Sequence, residues 1–158
     1  MSIRIQTKVD FKSMGQFLLY HYYTQISGIF SVLISLAAIV FAVWRWTVLR
    51  TEAKIALIVI GLMFTVLQPL MLLFRAKKQM KSGQFDDSFT YVFDDNGLTI
   101  SQEDRSQQFT WQEVRKIKYR KDAIYVYMSN IRAFILPKDQ IGSRYDELVA
   151  LMKEKKSR

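Results

Sequence analysis

The rhythm of hydrophobic and polar positions changes along this chain, and the changes mark its parts. Ile3, Ile5, Thr7 and Val9 alternate with Ser2, Arg4, Gln6 and Lys8, a period of two that predicts a half-buried strand over 2–9. Asp10 or Ser13 can cap a helix starting near Phe11, whose later turns are aromatic through Phe17, Leu18, Tyr20, His21, Tyr22 and Tyr23. No Asp, Glu, Lys or Arg then occurs between Lys12 and Arg45, nor between Lys54 and Arg75. Each interval is at least as long as the ~20 apolar residues that cross a bilayer as a helix, which predicts a two-span hairpin at about 26–46 and 55–74. A pair of buried core helices is the soluble alternative. A strand before the hairpin needs partners, and strand-like sequence resumes only beyond residue 84, so the hairpin is read as an insertion into one sheet.

Within the first span Gly28, Ser31, Ser35, Ala38 and Ala42 recur at steps of three and four, and the second carries Gly61, Thr65 and Gln68 at similar spacing. Small faces let helices approach closely in lipid, so these two stripes form the expected contact of an antiparallel pair joined by the loop Arg45 to Lys54. Pro69 cannot donate to the Thr65 carbonyl, which predicts a bend with Gln68 available to the freed groups. From Tyr23 to Trp44 an α-helix rises ~32 Å, close to the hydrocarbon thickness, so Tyr22 with Tyr23 and Trp44 with Trp46 can mark opposite interfaces. Lys and Arg flanking the side with both termini outnumber those of the loop seven to three. The expected location is therefore the plasma membrane, multi-pass, with both termini cytoplasmic. Met1 to Lys12 do not resemble a cleavable signal and are expected to remain.

After a basic connector, Ser82-Gly83 opens a polar part. Strands are predicted at Phe85–Phe93, Leu98–Gln102, Ser106–Thr110, Val114–Arg120, Ala123–Met128 and Arg132–Leu136, with Asp95-Asn96-Gly97 as the strongest hairpin signal. Ser143 and Asp146 then start a helix with Tyr145, Leu148, Val149 and Met152 on one face and Lys153, Lys155, Lys156 and Arg158 at its end. The fold class is an α+β membrane protein. Its parts are an N-terminal strand and interfacial helix over 1–25, the transmembrane hairpin over 26–74, and over 82–158 a bent antiparallel sheet with a C-terminal amphipathic helix.

The net charge of +9 divides unevenly, with +8 on residues 1–81 and +1 on 82–158. The excess flanks the membrane segments, which argues against a nucleic-acid face. There is no cysteine, which excludes disulfides and thiolate sites. The carboxylate pairs Asp86/Asp87, Asp94/Asp95 and Glu103/Asp104 fall at strand ends and turns, Gly97 and Gly142 stand alone, and His21 is the single histidine. No catalytic set, cofactor site, metal site or small-molecule substrate is inferred. Trp111 reads as a core or corner aromatic. The dense basic run Arg115, Lys116, Lys118, Arg120 and Lys121 is either a solvated face or a contact for anionic headgroups or an acidic partner, helped by Arg75, Lys77, Lys78 and Lys81.

A bent sheet closed by a C-terminal helix resembles the pleckstrin-homology (PH) architecture. More specifically, "FLLYHYY", the two-span hairpin, "FTYVFDDNGLTI", "FTWQEVRKI", "AIYVYMS" and "AFILPKDQI" resemble the YcxB-like bacterial membrane proteins. The resemblance implies a PH-like cytoplasmic domain on a membrane hairpin, in a bacterial inner membrane, and implies no reaction. The expected partners are the lipid bilayer and a protein partner or a second copy. A non-enzymatic, membrane-anchored binding or regulatory role is expected. The alternatives are a subunit of a membrane transport or immunity complex acting through its hairpin, and an anionic-lipid sensor.

Overall fold

The computed structural model describes residues 2–83, 85 and 87–156; Asp86 and Arg158, named above, lie outside the described residues. The chain forms two compact units, Met1–Met14 with Met80–Arg158 and, inserted between them in sequence, Gly15–Gln79.

In the first unit, β1 (Ile3–Thr7) pairs antiparallel with β2 (Phe89–Phe93), setting Ile3 opposite Phe93 and Thr7 opposite Phe89. The strand before the long helices and the strand after them therefore share one sheet. β3 (Gly97–Gln102) and β4 (Arg105–Thr110) complete it in the order β1-β2-β3-β4. A second sheet holds β5 (Lys116–Tyr119), β6 (Ala123–Tyr127) and β7 (Ala133–Pro137) in sequential order. The single sheet expected from the sequence is thus two sheets, divided at Trp111–Arg115. The division has a local cause. Thr110 and Glu113 close a tight turn, in which the Thr110 N–H and hydroxyl donate to Glu113 Oε2 at 2.7 and 2.9 Å.

Residues beyond β7 form a four-residue helix α5 (Lys138–Ile141), a 3₁₀ turn (Gly142–Arg144) and the terminal helix α6 (Tyr145–Lys156). Leu148, Leu151 and Met152 of α6 are buried with Ile3, Ile5, Phe93, Leu98, Trp111, Val114, Ile124, Val126 and Leu136 in one core. Trp111 stacks on Phe93 and donates from Nε1 to the Asp94 carbonyl at 2.9 Å, so it is a corner aromatic with its polar edge satisfied. Lys155 of α6 reaches Asp95 Oδ1 at 2.5 Å, tying the helix end to the β2–β3 turn. That partner holds the Asp95 carboxyl down at about 2. A carboxyl lowered on folding contributes stability above its unfolded pKa of about 4 and loses it as pH falls through the folded value. The melting temperature of the first unit is therefore expected to fall between about pH 4 and pH 2, and Asp95→Asn to remove part of that slope; an unchanged slope would discount the pair.

In the second unit, α1 (Phe11–Tyr23), which starts in the first unit, leads to α2 (Ile26–Trp44) through a tight turn. Asp10 caps α1 by accepting the Ser13 N–H at 2.8 Å. Partial burial pushes its carboxyl up, and the hydrogen bonds from Ser13 outweigh this and hold it below the usual range. After a short loop come α3 (Thr51–Leu62), a π turn (Met63–Leu67) and α4 (Gln68–Met80). The second span, expected to end near Phe74 with a basic connector before Ser82, instead continues as helix α4 through that connector as far as Met80. Two helical stretches, Ile26–Trp44 and Thr51–Met80, are long and apolar enough to cross a membrane.

Candidate functional site

The basic strand is positioned from both ends. At its start Val114 is fully buried, and the Arg115 N–H donates to the Tyr127 carbonyl at 2.8 Å although the residue paired with Tyr127 is Lys116. Two residues thus stand against one, a bulge that turns the strand as it leaves the Trp111 corner. At its end the Arg120 N–H donates to the Ala123 carbonyl at 2.9 Å, closing the hairpin around Lys121-Asp122. Between these points Ile117 and Tyr119 are half-buried against the core, and Lys116 and Lys118 are exposed, as are Arg115, Arg120 and Lys121. Burial, and then the neighbouring Tyr145, push the Tyr119 hydroxyl up. β5 borders its sheet on one side only. Lys116 Nζ lies 4.8 Å from the centre of the Tyr127 ring, and Lys153 of α6 lies 5.7 Å from that of Tyr119. In the sequence Lys153 stands among the cations at the end of the last helix, and only the tertiary fold brings it beside β5. Arg75, Lys77 and Lys78 are exposed on α4, and Lys81 is exposed in the turn after it.

The small residues make a second constellation. Gly28, Ser31, Ser35, Ala38 and Ala42 are all buried on α2. Ser35 Oγ donates to the Gly61 carbonyl of α3 at 2.9 Å, and a β-carbon on Gly61 would meet Ile39 Cγ1 at 3.0 Å. Gly28 and Ser31 serve a different neighbour. A β-carbon on Gly28 would fall 2.0 Å from the Tyr22 carbonyl oxygen, and Ser31 Oγ lies 3.1 Å from the Tyr22 hydroxyl, so this end of the stripe holds the α1–α2 corner. Thr65 is exposed, with its hydroxyl folded back onto the Gly61 carbonyl at 2.6 Å. Half-buried Gln68 donates its N–H to the Met63 carbonyl, a step of five. In that register the N–H missing at Pro69 would have served Phe64, and the Tyr23 hydroxyl donates to the Phe64 carbonyl at 3.2 Å. The expected bend near Pro69 is thus a π turn, and the supplementary donor is a tyrosine from α1.

Residues 93–152 match the family model described as YcxB-like protein. The YcxB-like region takes in β3 to β7, the Trp111 corner, the basic strand and most of α6, while β1 and the long helices lie outside it. No curated protein and no solved structure matches the chain.

Carboxylates of the YcxB-like region serve turns. Asp94 Oδ1 accepts the N–H groups of Asn96 and Gly97 at 2.8 and 2.9 Å, Asp95 meets Lys155, and Glu103 with Asp104 closes the β3–β4 hairpin with Glu103 at φ 48°. Hydrogen bonds from the Thr110 backbone and then its side chain hold Glu113 below the usual carboxylate range. His21 is bonded to Gln25 at 2.7 Å and stacked on Phe17. Among the described residues no group of three His, Cys, Asp or Glu side chains could hold a metal ion.

Proposed function

We propose that this chain is a non-enzymatic, membrane-anchored binding protein, in which the helical hairpin anchors and the cytoplasmic YcxB-like unit binds a protein partner. One observation carries the reading: an apolar helical pair is inserted between two strands of a sheet whose core is otherwise closed. Of the most apolar windows of the two long helices only 28% and 11% is buried, so their side chains ask for an apolar solvent, unlike those of core helices. Trp44 and Trp46 stand at the hairpin loop with Arg45 and Lys54 over their rings, at 5.6 and 4.8 Å, a composition suited to an interface. Seven flanking cations against three favour both termini in the cytoplasm. The soluble unit is PH-like in this reading, with seven antiparallel strands among its described residues, in two sheets closed by a terminal helix, a scaffold that binds through its edges and loops.

The test is native-nanodisc purification from the source membrane, followed by mass spectrometry of what copurifies. A stoichiometric protein that is lost with Lys116→Glu, Lys118→Glu and Arg120→Glu together, and kept with Ser35→Leu and Ala38→Leu, supports the reading. The reverse pattern moves the function to the hairpin, as in a transport or immunity complex. Recovery alone with enriched anionic lipid moves it to headgroup sensing.

A further inference from the structure

The geometry points to the free edge of β5 as a site of strand addition for an extended, acidic segment of another protein. This rests on reading the soluble unit as a protein-binding module, and it names the place and the chemistry of the partner.

The sheet edges differ in what they can accept. That of β1 is occupied from the C-terminal part: Gln140 exchanges two hydrogen bonds with the Lys8 backbone, at 2.6 and 2.9 Å, and Arg144 donates to the Arg4 carbonyl at 3.2 Å. β7 holds no charged residue, and β4 none between Ser106 and Thr110, so neither selects a partner by charge. Among the described strands β5 alone combines an edge with cations at alternate positions. The bond from Arg120 N–H to the Ala123 carbonyl fixes its phase. Alternation then turns the amides of Lys116 and Lys118 toward β6 and those of Ile117 and Tyr119 outward.

A strand added at that edge pairs with the outward backbone groups of Ile117 and Tyr119. Its residues on the solvent face recur every ~6.6 Å, the same repeat as Lys116, Lys118 and Arg120, so carboxylates at alternate positions each meet a cation. Lys153, placed over the Tyr119 ring from α6, adds positive charge beside the edge. A flat anionic membrane would use the charge but not the outward amides or the two-residue repeat. The partner that fits both is a peptide segment.

The probe is a fluorescent octapeptide of alternating glutamate and threonine, added to the full chain in zwitterionic-lipid nanodiscs. Twins N-methylated at alternate amides, in either phase, carry the same charge but cannot add as a strand through the blocked groups. The parent peptide is expected to bind. Lys116→Glu, Lys118→Glu and Arg120→Glu together weaken it at least about tenfold, and one of the twins binds as weakly. These side chains are exposed, so an unchanged melting profile verifies that the variant is folded. Absence of parent binding at millimolar peptide, or equal binding by both twins and the parent, overturns the inference. So does a charge-dependent response to phosphatidylglycerol vesicles with no peptide binding, which makes the strand a headgroup surface. A native partner that binds both the triple variant and the Ser35→Leu, Ala38→Leu variant overturns this site and leaves the protein-binding reading intact, whereas recovery of no partner, or loss of it only with Ser35→Leu and Ala38→Leu, overturns that reading itself.

Discussion

Gly97→Val is expected to unfold the first unit, which holds both sheets, while leaving the helical hairpin in place. Gly97 pairs with Thr110 where β3 leaves the Asp94–Asn96 turn, and a β-carbon there would fall 1.9 Å from the Phe109 carbonyl oxygen and 2.9 Å from Thr110 Cα. Both obstacles are backbone, so no side chain can swing aside. Relief requires β4 to move by more than an ångström, which separates Leu98 from Phe109 and pulls Trp111 away from the Asp94 carbonyl. The loss combines steric strain, broken pairing and an unpaired indole N–H, and is expected to exceed about 3 kcal/mol, a large share of the stability of a small domain. For a unit of this size that is a fall of roughly 15 °C in melting temperature. Near-ultraviolet circular dichroism of the full chain in detergent reads the loss. Asn96→Ala, which keeps the backbone path, is the matched control, and a Gly97→Val melt within a few degrees of the parent would show that β4 yields freely.

Gly61→Leu is expected to have the second largest effect, confined to the other unit. Ile39 Cγ1 already lies 3.0 Å from where a β-carbon would stand, and the Gly61 carbonyl accepts the Ser35 hydroxyl of the same facing helix at 2.9 Å. A leucine forces α2 and α3 apart and leaves the Ser35 hydroxyl without its interhelical acceptor. Overpacking of this kind costs about 1–3 kcal/mol, and an interhelical hydrogen bond in lipid about 0.6 kcal/mol more. Titration with sodium dodecyl sulfate, followed by hydrogen exchange at α2 and α3, should show earlier opening of the pair with the sheet-bearing unit unchanged. Thr65→Ala, which leaves Ser35 on the same carbonyl, should differ little from the parent. Equal behaviour of Gly61→Leu and parent would mean that the pair is held elsewhere.

Much of this architecture is legible in the chain because its signals are local. Alternation at Ile3, Ile5 and Thr7 marks β1, Asp95-Asn96-Gly97 marks the first hairpin, and the uncharged intervals mark the long helices. What escaped has tertiary or short-range causes. The break between sheets follows from Thr110-Trp111-Gln112-Glu113, a capping-box pattern lying between two strand-like runs and hidden by them. Arg75 to Met80 read as a connector because polar composition masks helix continuation, although Leu72 and Ala76 keep the apolar spacing and are buried. Pro69 announces a disturbance, but no sequence rule names Tyr23 as the donor to Phe64 or turns the disturbance into a π turn. At the candidate site the alternating cations were visible, while the phase of the β5 amides needed the register to β6. Lys153 beside Tyr119 needed the packing of α6, and the sealing of β1 by Gln140 and Arg144 joins residues more than 130 positions apart.

In the proposed topology a membrane hairpin is inserted into a cytoplasmic domain whose first strand precedes it. Because the chain has no cysteine, single cysteines introduced at Ser2, Val48 and Ser129 can be probed with a membrane-impermeant maleimide in intact cells and after lysis. The account predicts that Val48→Cys labels in intact cells, whereas Ser2→Cys and Ser129→Cys label only after lysis. Labelling of Ser2→Cys and Ser129→Cys from opposite sides, or of all three from one side, would contradict it.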